Sequence, residues 1–293
     1  MYDIGAYFEA DSVQDAVKLL KENPDARIIA GGSDVLIKMR EGSLGGCDLV
    51  SIQMVDELRG VKMDEDGTLR ILPVSSFSSI TADPIIKEHF TVLGEAVDTV
   101  GGPQIRNIGT IGGNVCNGVT SADSGSTLVA WDAVMEITGS DGVRQIPIQE
   151  FYLKPGVVDL KPGELLTAIL IPEKSYKGYK GNYFKYSMRN AMDIATIGCS
   201  ANVKLSEDKK TFEDMRLAFG VAGPVPMRAP SAEKALIGKA VTMENIEAAA
   251  DAALEDVNPR DSWRASKVLR IQLIHELSKR AIRKSVILSG GVL

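Results

Sequence analysis

Residues 101–123 read Gly-Gly-Pro-Gln-Ile-Arg-Asn-Ile-Gly-Thr-Ile-Gly-Gly-Asn-Val-Cys-Asn-Gly-Val-Thr-Ser-Ala-Asp. A glycine inside a helix costs about 1 kcal/mol relative to alanine, so this stretch predicts a loop and not a helix. Glycine lacks a Cβ and tolerates positive φ, which lets several backbone N–H groups converge on an anion. The hydroxyl and amide side chains could add hydrogen bonds to a pyrophosphate or a ribose. An elaborate turn without a ligand explains the spacing equally well.

A second glycine pair lies nearer the N-terminus. The apolar run Arg27–Ala30 predicts a buried strand, and it leads directly into Gly-Gly-Ser-Asp at positions 31–34 and then Val-Leu-Ile-Lys-Met at 35–39. A strand, a glycine turn, a polar cap and a helix start form a plausible phosphate site, with N–H groups and the helix dipole directed at the anion. A simple strand-to-helix turn is the competing interpretation.

Composition excludes several classes of protein. The 293 residues are 44% hydrophobic and 25% charged, with 33 basic against 39 acidic side chains and a net charge of −6. This balance argues against nucleic acid or an anionic membrane as partner. No apolar run approaches the length of a membrane span, and the N-terminus lacks a signal-peptide pattern, so we expect a cytoplasmic protein. Cys47, Cys116 and Cys199 are dispersed, and with His89 and His275 they form no metal-ligand or catalytic pattern.

Hydrophobic periodicity predicts mixed helices and strands. Ser12 caps a predicted helix over 12–21, Asp83 and Pro84 start a helix within 76–98, and hairpins are predicted at 61–72 and 134–146. A strand over 165–171 precedes a polar, glycine-punctuated segment at 172–182, where we place a domain boundary. Beyond it we predict strands over 183–188, 197–205 and 212–221 and helices over 231–238, 243–255 and 264–288.

Individual packing roles follow from the same patterns. The last predicted helix is amphipathic, and its expected core contacts are Leu269, Leu273, Leu277, Ile282 and Val286. Both tryptophans, Trp131 and Trp263, are expected to be structural.

The two glycine loops together carry a family resemblance. The chain contains no Gly-x-Gly-x-x-Gly, so a Rossmann dinucleotide site is disfavoured. Ala-Gly-Gly-Ser-Asp-Val-Leu at 30–36 and Gln-Ile-Arg-Asn-Ile-Gly-Thr-Ile-Gly-Gly-Asn at 104–114 instead resemble the paired FAD-binding signature of molybdenum hydroxylase flavoprotein subunits. The resemblance extends to 183–189 and 193–198, and the segments 117–123 and 262–267 are most similar to the xanthine dehydrogenase branch.

The resemblance implies an α+β fold with two domains. The first, residues 1–176, would be an FAD-binding domain similar to that of the vanillyl-alcohol oxidases, with subdomains of about 1–56 and 57–175. The second, residues 177–293, would resemble the C-terminal domain of carbon monoxide dehydrogenase flavoproteins, with a three-stranded antiparallel sheet and helices.

By position, the family's FAD-binding residues fall on several segments of this chain. The first loop, where Ser33 replaces the usual threonine, gives Ile28, Ile29, Ala30, Gly31, Gly32, Ser33, Asp34 and Val35. The second gives Gly109, Thr110, Gly112, Gly113, Asn114, Cys116, Asn117 and Asp123, and later segments give Leu165, Leu166 and Lys185. The ordinary alternatives are that Lys185 is a surface lysine, that Asp123 caps a helix and that the leucines are core. No residue is assigned as catalytic or as a metal ligand.

The resemblance also implies an activity and partners. FAD in this chain would take electrons from the [2Fe–2S] clusters of a small partner subunit and pass them to NAD⁺, while a large molybdopterin-binding subunit hydroxylates a purine such as xanthine or hypoxanthine. Such complexes are heterotrimers or dimers of heterotrimers. Alternatives are a related hydroxylase of nicotinate, an aldehyde or carbon monoxide, a free-standing flavoprotein oxidase, or a scaffold subunit that has lost its flavin. The dispersed cysteines exclude the additional cluster of the relatives that reduce aromatic thioesters.

Overall fold

The computed structural model describes residues 2–293, and the N-terminal part is a small parallel sheet with helices. The strands β1 (Ile4–Glu9), β2 (Arg27–Ile29) and β3 (Cys47–Ser51) are arranged in the order β1-β3-β2. Helix α1 (Val13–Glu22) follows β1, and α2 (Val35–Arg40) follows β2. The Ser12 hydroxyl accepts a hydrogen bond from the backbone N–H of Asp15 at 3.1 Å, so the predicted cap is confirmed.

An antiparallel sheet of five strands forms the centre of the next segment. Its order is β4-β5-β10-β6-β7, and its strands are β4 (Val61–Met63), β5 (Leu69–Ile71), β6 (Val134–Gly139), β7 (Gly142–Pro147) and β10 (Leu165–Ile171). Every residue of β10 is buried, as expected for a central strand with both faces covered. Both predicted hairpins are confirmed as the pairs β4–β5 and β6–β7.

Seven short helices and one small hairpin surround that sheet. The helices are α3 (Phe77–Ala82), α4 (Pro84–His89), α5 (Thr91–Asp98), α6 (Pro103–Ile108), α7 (Ile111–Cys116), α8 (Asp123–Ala130) and α9 (Ile148–Phe151). Strands β8 (Tyr152–Lys154) and β9 (Val157–Val158) form the hairpin, and a 3₁₀ turn spans Asp56–Leu58. As predicted, Asp83 caps α4 through hydrogen bonds from the N–H groups of Ile85 and Ile86.

The C-terminal part is a second antiparallel sheet covered by helices. Strands β11 (Lys180–Tyr186), β12 (Ile197–Leu205) and β13 (Phe212–Gly220) are the three that were predicted, and the two-residue β14 (Met227–Arg228), too short to leave a pattern, adds an edge. The helices are α10 (Glu173–Tyr176), α11 (Pro230–Leu236), α12 (Met243–Ala252) and α13 (Lys267–Leu288), with a 3₁₀ turn at Ala253–Glu255.

Two packing predictions for this region are wrong. Leu269 is 38% exposed because the buried face of α13 begins at Arg270 and Ile274, and Leu269 lies beside it. Leu277, Ile282 and Val286 are buried as expected. Trp263, in the turn that precedes α13, is 76% exposed and so is not a packing residue. Trp131, in contrast, is 2% exposed, and its ring centroid lies 4.5 Å from that of Phe90.

The two halves of the chain pack through α8 and the C-terminal sheet. The side-chain amide of Asn202, on β12, donates a hydrogen bond to the carbonyl of Ala130 at 2.8 Å in a fully buried position. Across residues 2–293, no helix combines the length and the apolar character that a membrane span requires.

Candidate functional site

A large cleft lies between the parallel sheet and the five-stranded sheet. Its volume is about 820 Å³, within the range of small-molecule and cofactor sites. The walls are the turn between β2 and α2, the segment from α6 to α7, the start of β10 and the chain over 156–164. Two glycine pairs far apart in sequence therefore line one cavity.

The turn after β2 presents free backbone donors to this cavity. Within the described chain, the N–H groups of Gly31, Gly32, Ser33 and Asp34 donate no hydrogen bond, although all four residues line the cavity. Gly32 has φ of +71°, a left-handed conformation that glycine adopts without strain. Consecutive unpaired N–H groups in such a turn form a concave site for an anion.

The two glycine loops touch each other backbone to backbone. A Cβ on Gly31 would lie 1.9 Å from the carbonyl oxygen of Ile108, the last residue of α6. No other side chain fits there without moving one of the loops. Gly31 therefore sets the distance between the two walls of the cleft.

The prediction that residues 101–123 form only a loop is wrong. The stretch contains α6, α7 and the start of α8. Tertiary bonds offset the glycine penalty, because the N–H groups of Ile111 and Gly112 donate to the carbonyls of Ser75 and Pro73 at 3.0 and 2.8 Å. The Thr110 hydroxyl also caps α7 by accepting from Gly113 N–H at 3.2 Å.

The two glycines of α7 have different surroundings. A Cβ on Gly112 would lie 2.4 Å from the side chain of Pro73 and 2.7 Å from its carbonyl oxygen. A Cβ on Gly113 would meet only the Thr110 hydroxyl, at 3.0 Å, and would otherwise project into the cavity. Gly112 is therefore required for packing, and Gly113 keeps the cavity wall open.

Sequence reasoning missed the basic residues of this site: Arg27, Lys38 and Lys161 line the cavity, and Arg144 lies behind its wall. Lys38, one turn into α2, donates from Nζ to Asn117 Oδ1 at 2.8 Å and so connects the two walls of the cleft. Its place in the helix start directly after the Gly-Gly-Ser-Asp turn was a signal that could have indicated it. Arg144, on β7, had no such signal, because its partners Asp159 and Glu164 are distant in sequence.

Arg144 holds the segment that closes one side of the cavity. Its guanidinium donates to Glu164 from Nε and Nη2 at 2.8 and 2.7 Å and to Asp159 from Nη1 at 2.8 Å. Hydrogen bonding from Arg144 lowers the pKa of Glu164, and Glu164 Oε2 also accepts from Lys161 N–H at 2.8 Å. Charge-assisted, bidentate bonds of this kind fix geometry strongly.

The structure places most of the predicted site residues on the cavity wall. They are Ile28, Ala30, Gly31, Gly32, Ser33, Asp34, Val35, Gly109, Thr110, Gly112, Gly113, Asn114, Cys116, Asn117, Leu165 and Leu166. Three lie elsewhere: Ile29 is buried in the core between the parallel strands and α2, and Asp123 and Lys185 form a separate buried cluster. Ile29 points away because alternate residues of a strand face opposite sides of the sheet.

The Asp123 cluster joins α8 to β11. Asp123 accepts from the Tyr183 hydroxyl at 2.5 Å and from Lys185 Nζ at 2.9 Å, and Lys185 Nζ also donates to the carbonyl of Thr99 at 3.0 Å. Burial raises the pKa of Asp123, although the positive charge of Lys185 acts in the opposite direction. Burial and the neighbouring Asp123 raise the pKa of Tyr183 well above its usual value.

Cys116 contributes a neutral thiol to the cavity. Burial raises its pKa to about 12, so the side chain stays protonated near neutral pH. A protonated thiol is a poor nucleophile, and Cys116 therefore acts as an apolar lining group. No histidine lies among the residues that form the cavity wall in the described chain.

These features fit an FAD molecule. The free N–H groups at 31–34 can bind a diphosphate, the Ser33 hydroxyl and the Asn114 and Asn117 amides can bind ribose or phosphate oxygens, and the buried leucines of β10 supply an apolar wall. The glycines at 31 and 113 provide the close backbone approach that a bulky cofactor needs.

The fold and the cavity define a class of flavoprotein, and the comparisons with known proteins agree. Residues 2–174 match the family described as the FAD binding domain in molybdopterin dehydrogenase, and residues 182–285 match the CO dehydrogenase flavoprotein C-terminal domain. The chain belongs to this family of molybdopterin dehydrogenase flavoproteins, which confirms the predicted family and the predicted fold class.

Individual relatives cover all or nearly all of the chain. It is 42% identical to the xanthine dehydrogenase FAD-binding subunit of Escherichia coli O157:H7 over 293 residues, 100% of each chain. It is 29% identical to the glyceraldehyde dehydrogenase medium chain of Sulfolobus acidocaldarius, over 95% of this chain and 97% of that one. A solved carbon monoxide dehydrogenase from Hydrogenophaga pseudoflava superposes with a TM-score of 0.92 at 29% identity, over 99% of each chain.

Proposed function

We propose that this chain is the FAD-carrying electron-transfer subunit of a molybdenum hydroxylase complex. In that role it takes electrons from [2Fe–2S] clusters of a small partner subunit and delivers them to NAD⁺, and a molybdopterin-binding large subunit oxidises a purine such as xanthine or hypoxanthine. The observation that carries the proposal is the cleft in which two glycine loops meet and the N–H groups of residues 31–34 are unpaired.

The chain would hold the cofactor mainly through backbone dipoles. A diphosphate brings negative charge into a protein whose own net charge is −6. Unpaired N–H groups can offset much of that charge. Arg27, Lys38 and Lys161 on the cavity wall add positive charge, and Lys38 is bonded to Asn117 across the cleft. Gly113 leaves room for this approach, and Thr110 holds the N-terminus of α7 beside it.

FAD, when bound, supplies the ability to exchange single electrons on one side and an electron pair on the other. The chain's own residues bind it, orient it and exclude water. Leu165 and Leu166, each 2% exposed, form a dry wall, and the segment fixed by Arg144 closes the neighbouring side. The Asp123–Lys185 pair lies outside the part of the cleft that the other predicted residues line. We propose that this pair contacts the cofactor at the boundary between the two domains.

Substrate, acceptor and cell compartment belong to the same proposal. Support for a purine comes from the 42% identity to a xanthine dehydrogenase FAD-binding subunit. The NAD⁺ acceptor and a cytoplasmic heterotrimer are proposed with it. The domain division at residues 176 and 177 is proposed as well. The alternative within the family is a hydroxylase of nicotinate, an aldehyde or carbon monoxide, as the names of other relatives indicate.

The acceptor can be tested on the purified chain. After reconstitution with FAD, anaerobic addition of NADH should bleach the visible flavin absorbance, because hydride transfer between the two cofactors is reversible. Xanthine alone should leave the absorbance unchanged, since this chain has no molybdenum site of its own in the proposal.

Two results would redirect the proposal. Flavin that binds but does not respond to NADH would move the acceptor to a quinone, ferredoxin or oxygen. Bleaching of the flavin by a substrate in the absence of any partner would favour a free-standing oxidase. That alternative has less support, because an oxidase needs its own base and no histidine lies on the described cavity wall.

A further inference from the structure

The turn before α13 concentrates three arginines. Residues 260–266 read Arg-Asp-Ser-Trp-Arg-Ala-Ser, and a bridge between Ser262 and Ala265 closes the turn, with the N–H of Ser262 donating to the carbonyl of Ala265 at 3.0 Å. Ser266 then caps α13. Arg260 and Arg264 belong to this turn, and Arg270 lies on the first turns of the helix. None of the three lines the large cleft.

Arg270 is a buried cation with unused donors. It is 2% exposed, and its Nη2 donates to the Ser262 hydroxyl at 2.8 Å. Its Nε and Nη1 are buried and make no hydrogen bond with any described residue. The Nε of Arg264 is also buried and makes no hydrogen bond with any described residue. Buried donors are almost always paired in folded proteins, so three on neighbouring arginines call for a missing acceptor.

The local charge points to the same missing acceptor. Among residues 2–293, no carboxylate lies within 4.0 Å of a guanidinium nitrogen of Arg260, Arg264 or Arg270. Burial, together with the charges of Arg260 and Arg264, lowers the pKa of Arg270. Asp261 is the nearby acid, and its Oδ1 already accepts from the N–H of Lys267 at 2.6 Å. Positive charge therefore accumulates around Arg270 without a direct ion pair, which is unfavourable for a buried guanidinium.

We propose that Arg264 and Arg270 form a binding site for a single oxyanion, either a phosphate or a carboxylate. A planar guanidinium binds either group through charge-assisted hydrogen bonds, and Nε with Nη2, or Nη1 with Nη2, can form a parallel pair. On Arg270, Nε and Nη1 make no hydrogen bond, and Nη2, which gives one hydrogen to Ser262, keeps a second hydrogen for such a pair. The N-terminus of the 22-residue α13 adds a favourable dipole. The proposal is independent of FAD binding and of the electron acceptor.

Trp263 provides a reporter at the site. Its ring lies 4.2 Å below the guanidinium carbon of Arg264 and is 76% exposed. The only other tryptophan in the sequence, Trp131, is buried against Phe90 in the first domain. A change of Arg264 on anion binding should therefore alter the emission of Trp263 and leave that of Trp131 unchanged.

The experiment is a fluorescence titration of the full chain saturated with FAD, so that the nucleotide cleft is already filled. The probes are inorganic phosphate and N-acetylglutamate methylamide, which presents one carboxylate as a protein side chain would. Sodium chloride at equal ionic strength serves as the reference. We expect a saturable change with at least one probe, and Trp263→Phe should abolish the signal. Arg264→Gln and Arg270→Gln should each weaken binding by about tenfold or more.

Arg280→Gln is the matched control. Arg280 lies on the same helix, is 63% exposed and is paired with Glu276, so its loss should leave the titration unchanged. A stronger response to phosphate would assign a free or ligand-borne phosphate, and a stronger response to the carboxylate probe would assign an acidic residue of a partner. The proposal is overturned if neither probe exceeds chloride, or if both Arg264→Gln and Arg270→Gln retain the wild-type response. Arg264→Gln keeps the test valid if Arg270→Gln does not fold.

Discussion

At the scale of single residues, glycines of the same motif have different physical roles. Gly31 permits backbone contact between the two loops, Gly112 fits against Pro73, and Gly113 leaves the cavity open. The sequence shows only that all three lack a side chain. Their separate roles depend on which atoms surround each Cα in the folded chain.

Gly113→Val should remove FAD binding and leave the fold intact, because the new side chain projects into the cleft and meets little protein. FAD retained after desalting measures binding, and far-UV circular dichroism measures the fold. Gly31→Ala is the informative comparison, since its Cβ would clash with the carbonyl of Ile108 and should lower stability as well. Stoichiometric flavin in Gly113→Val would contradict the assigned role of this wall.

The buried pair Asp123–Lys185 makes a second prediction at this scale. Lys185→Ala should cost about 3 kcal/mol in the free energy of unfolding, because it leaves a carboxylate 5% exposed without its cation. The double variant Lys185→Ala with Asp123→Asn should recover part of that loss, since a neutral amide still accepts from Tyr183. Urea denaturation measures both.

Lys185→Ala should also retain FAD while changing the flavin reduction potential or the rate of reduction by NADH. Unchanged values of both would remove Lys185 from the proposed cofactor site. No recovery in the double variant would show that the loss does not arise from the unpaired charge.

At the scale of secondary-structure elements, the sequence predicted those features whose stabilising contacts lie between residues close together in the chain. The caps at Ser12 and Asp83 and both hairpins were predicted, since each depends on residues a few positions apart. Helix α7 was missed because its stability comes from Pro73 and Ser75, more than 30 residues away. The hydrogen-bond partners of Arg144 could not be predicted either, because they are also distant in sequence.

The Arg144–Glu164 bond predicts an acid-sensitive contribution to stability. The pKa of Glu164 is lowered in the folded state, so its stabilisation is complete above the unfolded value of about 4.3 and is lost as the pH falls through the folded pKa. Glu164→Gln should therefore cost about 1 kcal/mol at pH 7, and this cost should decrease progressively as the pH falls below about 4.3. Urea denaturation of both proteins between pH 7 and pH 3.5 measures the difference. A cost independent of pH would contradict this account.

At the scale of the whole molecule, charged groups connect the two halves of the chain. Asp132, which follows α8, pairs with Arg228 and with Arg216 of the C-terminal sheet, the latter at 3.3 Å. The Asp123–Lys185 pair and the Asn202–Ala130 bond cross the same boundary. These partly buried polar contacts couple the two halves of the chain.

The chain should accordingly unfold in one transition. In a Trp263→Phe background the emission of Trp131 reports the first domain, and far-UV circular dichroism reports both, so the two urea curves should coincide. Asp132→Asn should shift both curves together to lower urea. Separated midpoints in the Trp263→Phe background alone would show that the halves unfold independently.

The most direct test of the central claim is the flavin content of the isolated chain. The purified protein is incubated with FAD, desalted, and its visible absorbance is compared with its protein concentration. The cleft between the two glycine loops predicts close to one flavin per chain, with the diphosphate at residues 31–34. A chain that remains folded and retains no flavin would contradict the account and leave both glycine loops as structural turns.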